Sequence, residues 1–352
     1  MDHIEVETLI VGGSFYGCGV ARSMPDALVM EPSIAPGGDG VFGFDPGTGW
    51  NETLSHPEAE EFRQELLRRH ALTAEGRLLT GALAPVFAEW CIKRNLPLLL
   101  RTSLAACNEH RALFLDSCGN RIECHAEQIL DAREPLRGDK FLTAALVSSG
   151  PVPEGQIGEF ELHFSGVDRI GYALLRLEES CSMLKARERF LSLWRERPES
   201  LRQTKLLLIA SRFHRRGFPN AAAELEAGLL NRAGLLPPQP VRKTVSDSCD
   251  LLVAGFGTAG CAAAVAAARR GLRVMAVERN NCPGGTWTGG FVPRCYLQQP
   301  AGIAKEFQEA AGRVEDCFGL TEPLKIVQER AACECGVEIH YGALVLSVLR
   351  EG

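Results

Sequence analysis

Residues Asp250 to Gly290 read DLLVAGFGTAGCAAAVAAARRGLRVMAVERNNCPGGTWTGG, and this stretch decides the fold. Asp250-Leu251-Leu252-Val253-Ala254 is a short apolar run, of the kind that forms a strand buried on both faces. It ends in Gly255-Phe256-Gly257-Thr258-Ala259-Gly260, a G-x-G-x-x-G turn. The run CAAAVAAARRG follows, rich in the best helix former and closed by Gly271. Leu272 to Val277 makes a second strand, and Glu278 stands at its end. Strand, turn, helix, strand and acid thus succeed one another within about thirty residues.

Each residue type has a physical task in such a unit. Gly255 permits the tight turn, Gly257 has no Cβ to hold a diphosphate off the backbone, and Gly260 lets the helix lie close to the strand. The helix start offers free N–H groups and the positive end of its dipole to phosphate. Glu278 can accept a hydrogen bond from a ribose 2′-hydroxyl and would repel a 2′-phosphate, which disfavours NADP. The whole is a dinucleotide-binding fingerprint in its proper context.

After Glu278, Cys282-Pro283-Gly284-Gly285-Thr286-Trp287-Thr288-Gly289-Gly290 supplies four more glycines. This second loop resembles the FAD domains of the glutathione-reductase-type flavoprotein superfamily, in particular the FAD-dependent oxidoreductase family with its E…GG-T-x-T-G-G pattern. The resemblance implies FAD as cofactor, hydride or electron transfer through the flavin on a small-molecule substrate, and Gly284, Gly285 and Thr286 near the pyrophosphate and ribityl chain. Phe256, Thr258, Ala259 and Arg279 belong to the same implied site. In the family a late hairpin strand, here within Val337 to Leu349, holds the adenine through its backbone near Val345. Disulfide reductases of the superfamily carry a redox cysteine directly after G-G-T; Trp287 stands there instead, which argues against dithiol chemistry. Trp287 is equally suited to stacking near a flavin and to a core.

The 352 residues suffice for two domains or more. A net charge of −6 and the lack of a Lys/Arg-rich run point away from nucleic acid. No apolar stretch is long enough to span a membrane, and the acidic amino terminus runs straight into a strand, so a cytoplasmic protein is expected. The thirteen cysteines are scattered, with no paired cysteine and histidine spacing for zinc or an iron–sulfur cluster. They read as small buried hydrophobes in a reducing compartment, and no metal is expected.

The pattern occurs twice. Glu7 to Val11 is a strand leading into Gly12-Gly13-Ser14-Phe15-Tyr16-Gly17, and Ala27 to Glu31 a second strand followed by Pro36-Gly37-Gly38. Gly12 and Gly17 precede Gly255 and Gly260 by 243 positions, and Glu31 precedes Glu278 by 247. The chain therefore reads as two copies of one flavoprotein-type fold in tandem. In the first copy Ser14 replaces the middle glycine and Phe15-Tyr16 put two rings at the helix start. Gly12, Ser14, Gly17 and Glu31 therefore make a weaker second site. Ile129-Leu130-Asp131-Ala132-Arg133 falls where the family has D-A-T-G, and Ser211-Arg212 where it has G-D, so this copy is complete in topology and altered in chemistry.

The expected fold is α/β, with Rossmann-type FAD/NAD(P)-binding domains in three layers about a parallel sheet and a β-rich substrate-domain insertion. Residues 1–234 form the altered domain, with the insertion at about 140–205; residues 235–248, rich in proline, are the linker; residues 249–352 are the amino-terminal half of a second FAD domain. Ser180 to Ser200 reads as a polar helix with Leu184, Phe190, Leu191 and Trp194 inward. His214, in Arg212 to Arg216, reads as part of a solvated basic loop and His340 as a strand histidine, while Arg294 and Tyr296 are candidates to face the flavin. No catalytic set assembles from spacing. The alternative reading is a partial flavoprotein serving as a nucleotide-binding module, completed by a second chain.

Overall fold

The computed structural model describes residues 2–133, 138–231, 233–239, 246–293 and 300–350. It is an α/β protein of two compact units built from interleaved segments. The first takes residues 1–143, 151–181 and 212–244; the second takes 144–150, 182–211 and 245–352. Residues 144–150 and 182–211 precede the linker in sequence and yet cluster with 245–352.

The first unit is centred on the strand Asp2–Val11, which pairs in parallel with Ala27–Glu31 on one side and Arg121–Asp131 on the other. Leu98–Leu100 extends the parallel part, and Arg111–Asp116 and Thr102–Cys107 extend the other edge antiparallel. Alternate residues of the central strand serve two cores. Leu9 and Val11 pack with Met30, Phe114 and Ile129; Ile10 packs with Tyr16, Val20 and Leu130 beneath the helix Phe15–Arg22. The helices Pro57–Arg68, Leu83–Lys93 and Ala221–Leu230 close a third core around Phe15, Phe62, Phe87 and Leu225. The first residues of the predicted linker are paired in this unit. Gly234–Leu235 adds to Arg121–Asp131, and Gln239 exchanges both backbone bonds with Cys107.

The second unit holds a three-stranded parallel sheet, Leu251–Ala254, Val274–Glu278 and Glu338–Tyr341 in that order. Leu251, Val253, Val274, Ala276 and Ile339 share one face by register, and the helices Thr258–Ala268, Gly302–Ala311 and Thr321–Glu334 cover it. The opposite face carries Leu252, which is 48% exposed, and His340. The doubly buried strand predicted at Asp250 to Ala254 is therefore a strand covered on one side, because these helices lie on a single face. The late strand is also shorter than predicted. After Tyr341 the chain turns at Gly342, whose φ is +67°, and residues 343–350 have no regular structure.

Three further segments complete this unit. The strand Thr204–Ile209 pairs antiparallel with residues 144–148, and Leu206 bonds on both sides of Cys317, its N–H to the Asp316 carbonyl and its carbonyl to the Phe318 N–H. The helix Met183–Arg195 turns Phe190 and Trp194 inward as expected. It also buries Arg187, which was not among the residues read as inward. Arg187 lies 3.5 Å from both Glu322 and Glu329, and Lys325 lies 3.0 Å from Glu322. Two cations thus face two carboxylates in the interior, and Tyr341 and the Ile209 N–H donate to the same acids. A buried charge survives only with such partners.

Candidate nucleotide site

In the second unit the backbone leaves the strand Leu251–Ala254 at Gly255, where φ is +96°. The Phe256 ring turns wholly into the core while its N–H donates to Glu278 Oε2 at 2.8 Å. Gly257 then starts the Thr258–Ala268 helix. A Cβ on Gly260 would stand 1.9 Å from the Gly255 carbonyl oxygen, so the turn closes only with glycine there. A Cβ on Gly257 would meet nothing nearer than Gly285 Cα at 3.9 Å. The glycine at 260 serves the fold, and the glycine at 257 leaves room.

The second glycine loop lies against the first. Gly284 N–H donates to the Phe256 carbonyl, Thr258 Oγ1 donates to the Gly284 carbonyl, and Gly257 and Gly284 form a parallel bridge. Gly284 and Gly285 have φ of +89° and +51°, left-handed backbone that glycine adopts without strain. Below them Glu278 is buried and anchored, Oε1 accepting from the Asn280 N–H at 2.8 Å. Thr286 is exposed at the end of the loop and Arg279 is exposed beside Glu278. The structure thus brings together Gly255, Phe256, Gly257, Thr258, Ala259, Gly260, Glu278, Gly284, Gly285 and Thr286. Val345 lies in the irregular residues after Gly342, with no strand partner among the described residues. Trp287 belongs to the core of the unit. Arg294 and Tyr296 lie outside the described residues.

The first unit repeats this frame bond for bond. Gly13 N–H donates to Glu31 Oε2 and Ser33 N–H to Glu31 Oε1, both at 2.8 Å, and Gly37 N–H donates to the Gly13 carbonyl. Gly12, Gly37 and Gly38 have positive φ as do Gly255, Gly284 and Gly285, and a Cβ on Gly17 would again stand 1.9 Å from a carbonyl oxygen, that of Gly12.

The two helix starts differ. Ser14 Oγ accepts from the Gly17 N–H at 3.2 Å, and Glu224 Oε1, from the Ala221–Leu230 helix, accepts from the Tyr16 N–H at 3.1 Å. The first turn of the Phe15–Arg22 helix is therefore capped by the protein's own hydroxyl and carboxyl. The Thr258–Ala268 helix has no side-chain cap, and the N–H groups of Thr258, Ala259 and Gly260 have no acceptor among the described residues. Burial pushes the Glu224 carboxyl up to about 7, with Asp39 and Asp45 adding to the shift.

The rings of Phe15 and Tyr16, which the sequence puts at the helix start, pack inward, Phe15 against Phe87 with centroids 4.4 Å apart. They point away because the helix they begin needs a core face. Arg133 does cover the turn. Its guanidinium is held to Asp131 by two bonds of 2.9 and 3.0 Å, and its Cγ lies 2.9 Å from where a Cβ on Gly12 would be. A cavity of about 430 Å³ remains in this unit, lined by Gly12, Ser14, Glu31, Asp39, Arg133 and Arg212 among others. His214, read as part of a solvated loop, is 1% exposed in the strand His214–Arg216, stacked on Phe141. Pairing with residues 139–141 draws it in, and burial lowers its pKa.

Residues 250–352 match the profile of a family described as FAD dependent oxidoreductase. The match supports FAD as the cofactor. No curated protein matches the chain. Among solved structures the chain is similar to the myxobacterial chondrochloren halogenase, a FAD-dependent halogenase, at 11% identity and a TM-score of 0.41 over 60% of this chain and 64% of that one. It is similar to a geranylgeranyl bacteriochlorophyll reductase-like protein from Thermoplasma acidophilum at 12% identity and a TM-score of 0.41, over 64% of this chain and 72% of that one. The rebeccamycin biosynthetic enzyme REBC follows at 16% identity and 0.34, over 60% and 54%. The chain thus spans about two thirds of the halogenase and about half of the rebeccamycin enzyme. No helix among the described residues is long and apolar enough to cross a membrane.

Proposed function

We propose that this chain is an FAD-dependent oxidoreductase acting on a small molecule, with the cofactor held at the Gly255–Gly260 turn of the second unit. One observation carries the choice of turn: the start of the Thr258–Ala268 helix is uncapped and faced by glycine, whereas the start of the Phe15–Arg22 helix is filled by Ser14 and Glu224. The N–H groups of Thr258, Ala259 and Gly260 would receive the diphosphate, where the helix dipole favours negative charge. Glu278 would accept from the ribose, and Gly257, Gly284, Gly285 and Thr286 would let the ligand lie on bare backbone. In this reading Arg279 and Val345 would border the same site. FAD, when bound, supplies hydride or single-electron transfer.

The hydrogen-bond frame shared by Gly13, Glu31 and Ser33 with Phe256, Glu278 and Asn280 supports a tandem origin for the two units. The first copy then serves as scaffold and as a weaker site at Gly12, Ser14, Gly17 and Glu31.

The purified chain should carry FAD, identified by its visible absorbance and by chromatography of the released cofactor. Gly257→Val should weaken FAD binding by about ten-fold or more, a loss of 1.4 kcal/mol or greater, while leaving the melting temperature of the cofactor-free protein in place. A chain that neither retains FAD nor takes it up on reconstitution would overturn the assignment.

A further inference from the structure

The outer face of the first unit's sheet carries a second constellation. His3 lies on the strand Asp2–Val11, and Glu123 and His125 on Arg121–Asp131. The strands are parallel, with His3 opposite Glu123 and Glu5 opposite His125. Residues two apart on a strand share a face, so these four side chains stand together. The intervening Ile4, Val6, Cys124 and Ala126 pack into the core and hold the register.

The carboxylate of Glu123 lies between two imidazoles. Its Oε2 is 3.8 Å from His3 Nδ1 and its Oε1 is 3.4 Å from His125 Nε2. One ligand atom from each of the three residues can be chosen so that all lie within 4.8 Å of one another. Around a zinc ion, with ligands at 2.0–2.2 Å, neighbouring donors sit about 3.3 Å apart, so small rotations of partly exposed side chains would close the set. Beside it runs a groove lined by Glu5, Glu7, Asp26 and Glu127 together with His110 and His125. Four carboxylates there make a local field that favours a cation.

We infer that His3, Glu123 and His125 form a divalent transition-metal site of the zinc class, with three protein ligands and a fourth position open to water. Two imidazoles and one carboxylate suit zinc, cobalt or nickel in preference to magnesium or calcium, which take oxygen. The ion would join the amino-terminal strand to Arg121–Asp131 across the parallel ladder. This site is separate from the nucleotide turn and stands whether or not that turn binds FAD.

The test is titration of the full chain, free of any affinity tag, with Zn²⁺ by calorimetry and with Co²⁺ by visible absorbance. One equivalent should bind, with cobalt bands of tetrahedral type and no thiolate charge-transfer band. His3→Ala and His125→Ala should each weaken binding about ten-fold or more, and the double variant should abolish it. His110→Ala, on the groove but outside the triad, should change the affinity less than two-fold, about the noise of a peripheral site. All three substituted positions are at least partly exposed, and circular dichroism would verify that each variant folds. No saturable binding, binding indifferent to His3 and His125, or a thiolate band would each overturn the site and leave Glu123 as an acid paired with two histidines.

Discussion

Glu224 decides the character of the first glycine turn. Its carboxyl is raised from 4.5 to about 7, so the folded state holds that proton more tightly than the unfolded chain does. The stability it contributes is therefore complete below the unfolded value and is lost as pH rises through the folded one. Between those limits the raised affinity corresponds to about 3 kcal/mol. Glu224→Gln keeps an acceptor for the Tyr16 N–H and removes the titration. Urea midpoints of the wild type should fall between about pH 5 and pH 8, and those of the variant should fall less; parallel curves would refute this account. Local chemistry was legible in the chain, because Gly255, Gly260 and Glu278 act within one strand-turn-helix. Glu224 was not, since it meets Tyr16 from 208 positions away and nothing in its own helix marks it.

Among elements, the sequence pattern located the strands and helices well, and faces less well. The strand Ala27 to Glu31 and the Ala-rich helix after the Gly255–Gly260 turn fall where their patterns put them. The apolar run at Leu251 to Ala254 looked buried on both sides, yet a run of this length does not say how many layers cover it. Leu252 lies on the open face, so Leu252→Gln should alter unfolding stability by less than about 1 kcal/mol. Leu324, 1% exposed on the Thr321–Glu334 helix, has the covered face, and Leu324→Ala should cost about 2–5 kcal/mol. Equal costs at the two positions would contradict the one-sided sheet. The metal ligands were hidden for a related reason: their spacing is set across a ladder and leaves no motif along the chain.

For the molecule as a whole, the interleaving of segments has energetic weight. The family match covers residues 250–352 and not the helix Met183–Arg195, yet that helix carries the guanidinium that Glu322 and Glu329 face. Periodicity identifies a helix and its buried stripe but not the segment the stripe will meet, so Arg187 was not among the residues read as inward. Arg187→Met would leave two carboxylates buried with Lys325 as their remaining cation. It should destabilise the second unit by about 3–5 kcal/mol, seen as an earlier urea transition; an unchanged transition would mean that the acids find other partners.

The tethered carboxylate at Tyr16 has a consequence for occupancy. Because Glu224 is covalently part of the chain, it competes for the helix start at an effective concentration in the millimolar range or above. FAD should therefore fill the Gly255–Gly260 turn first, and the weaker Gly12–Gly17 turn only at much higher concentration. Such a molecule resembles a lock with two keyholes, one of which has been cast with its key inside.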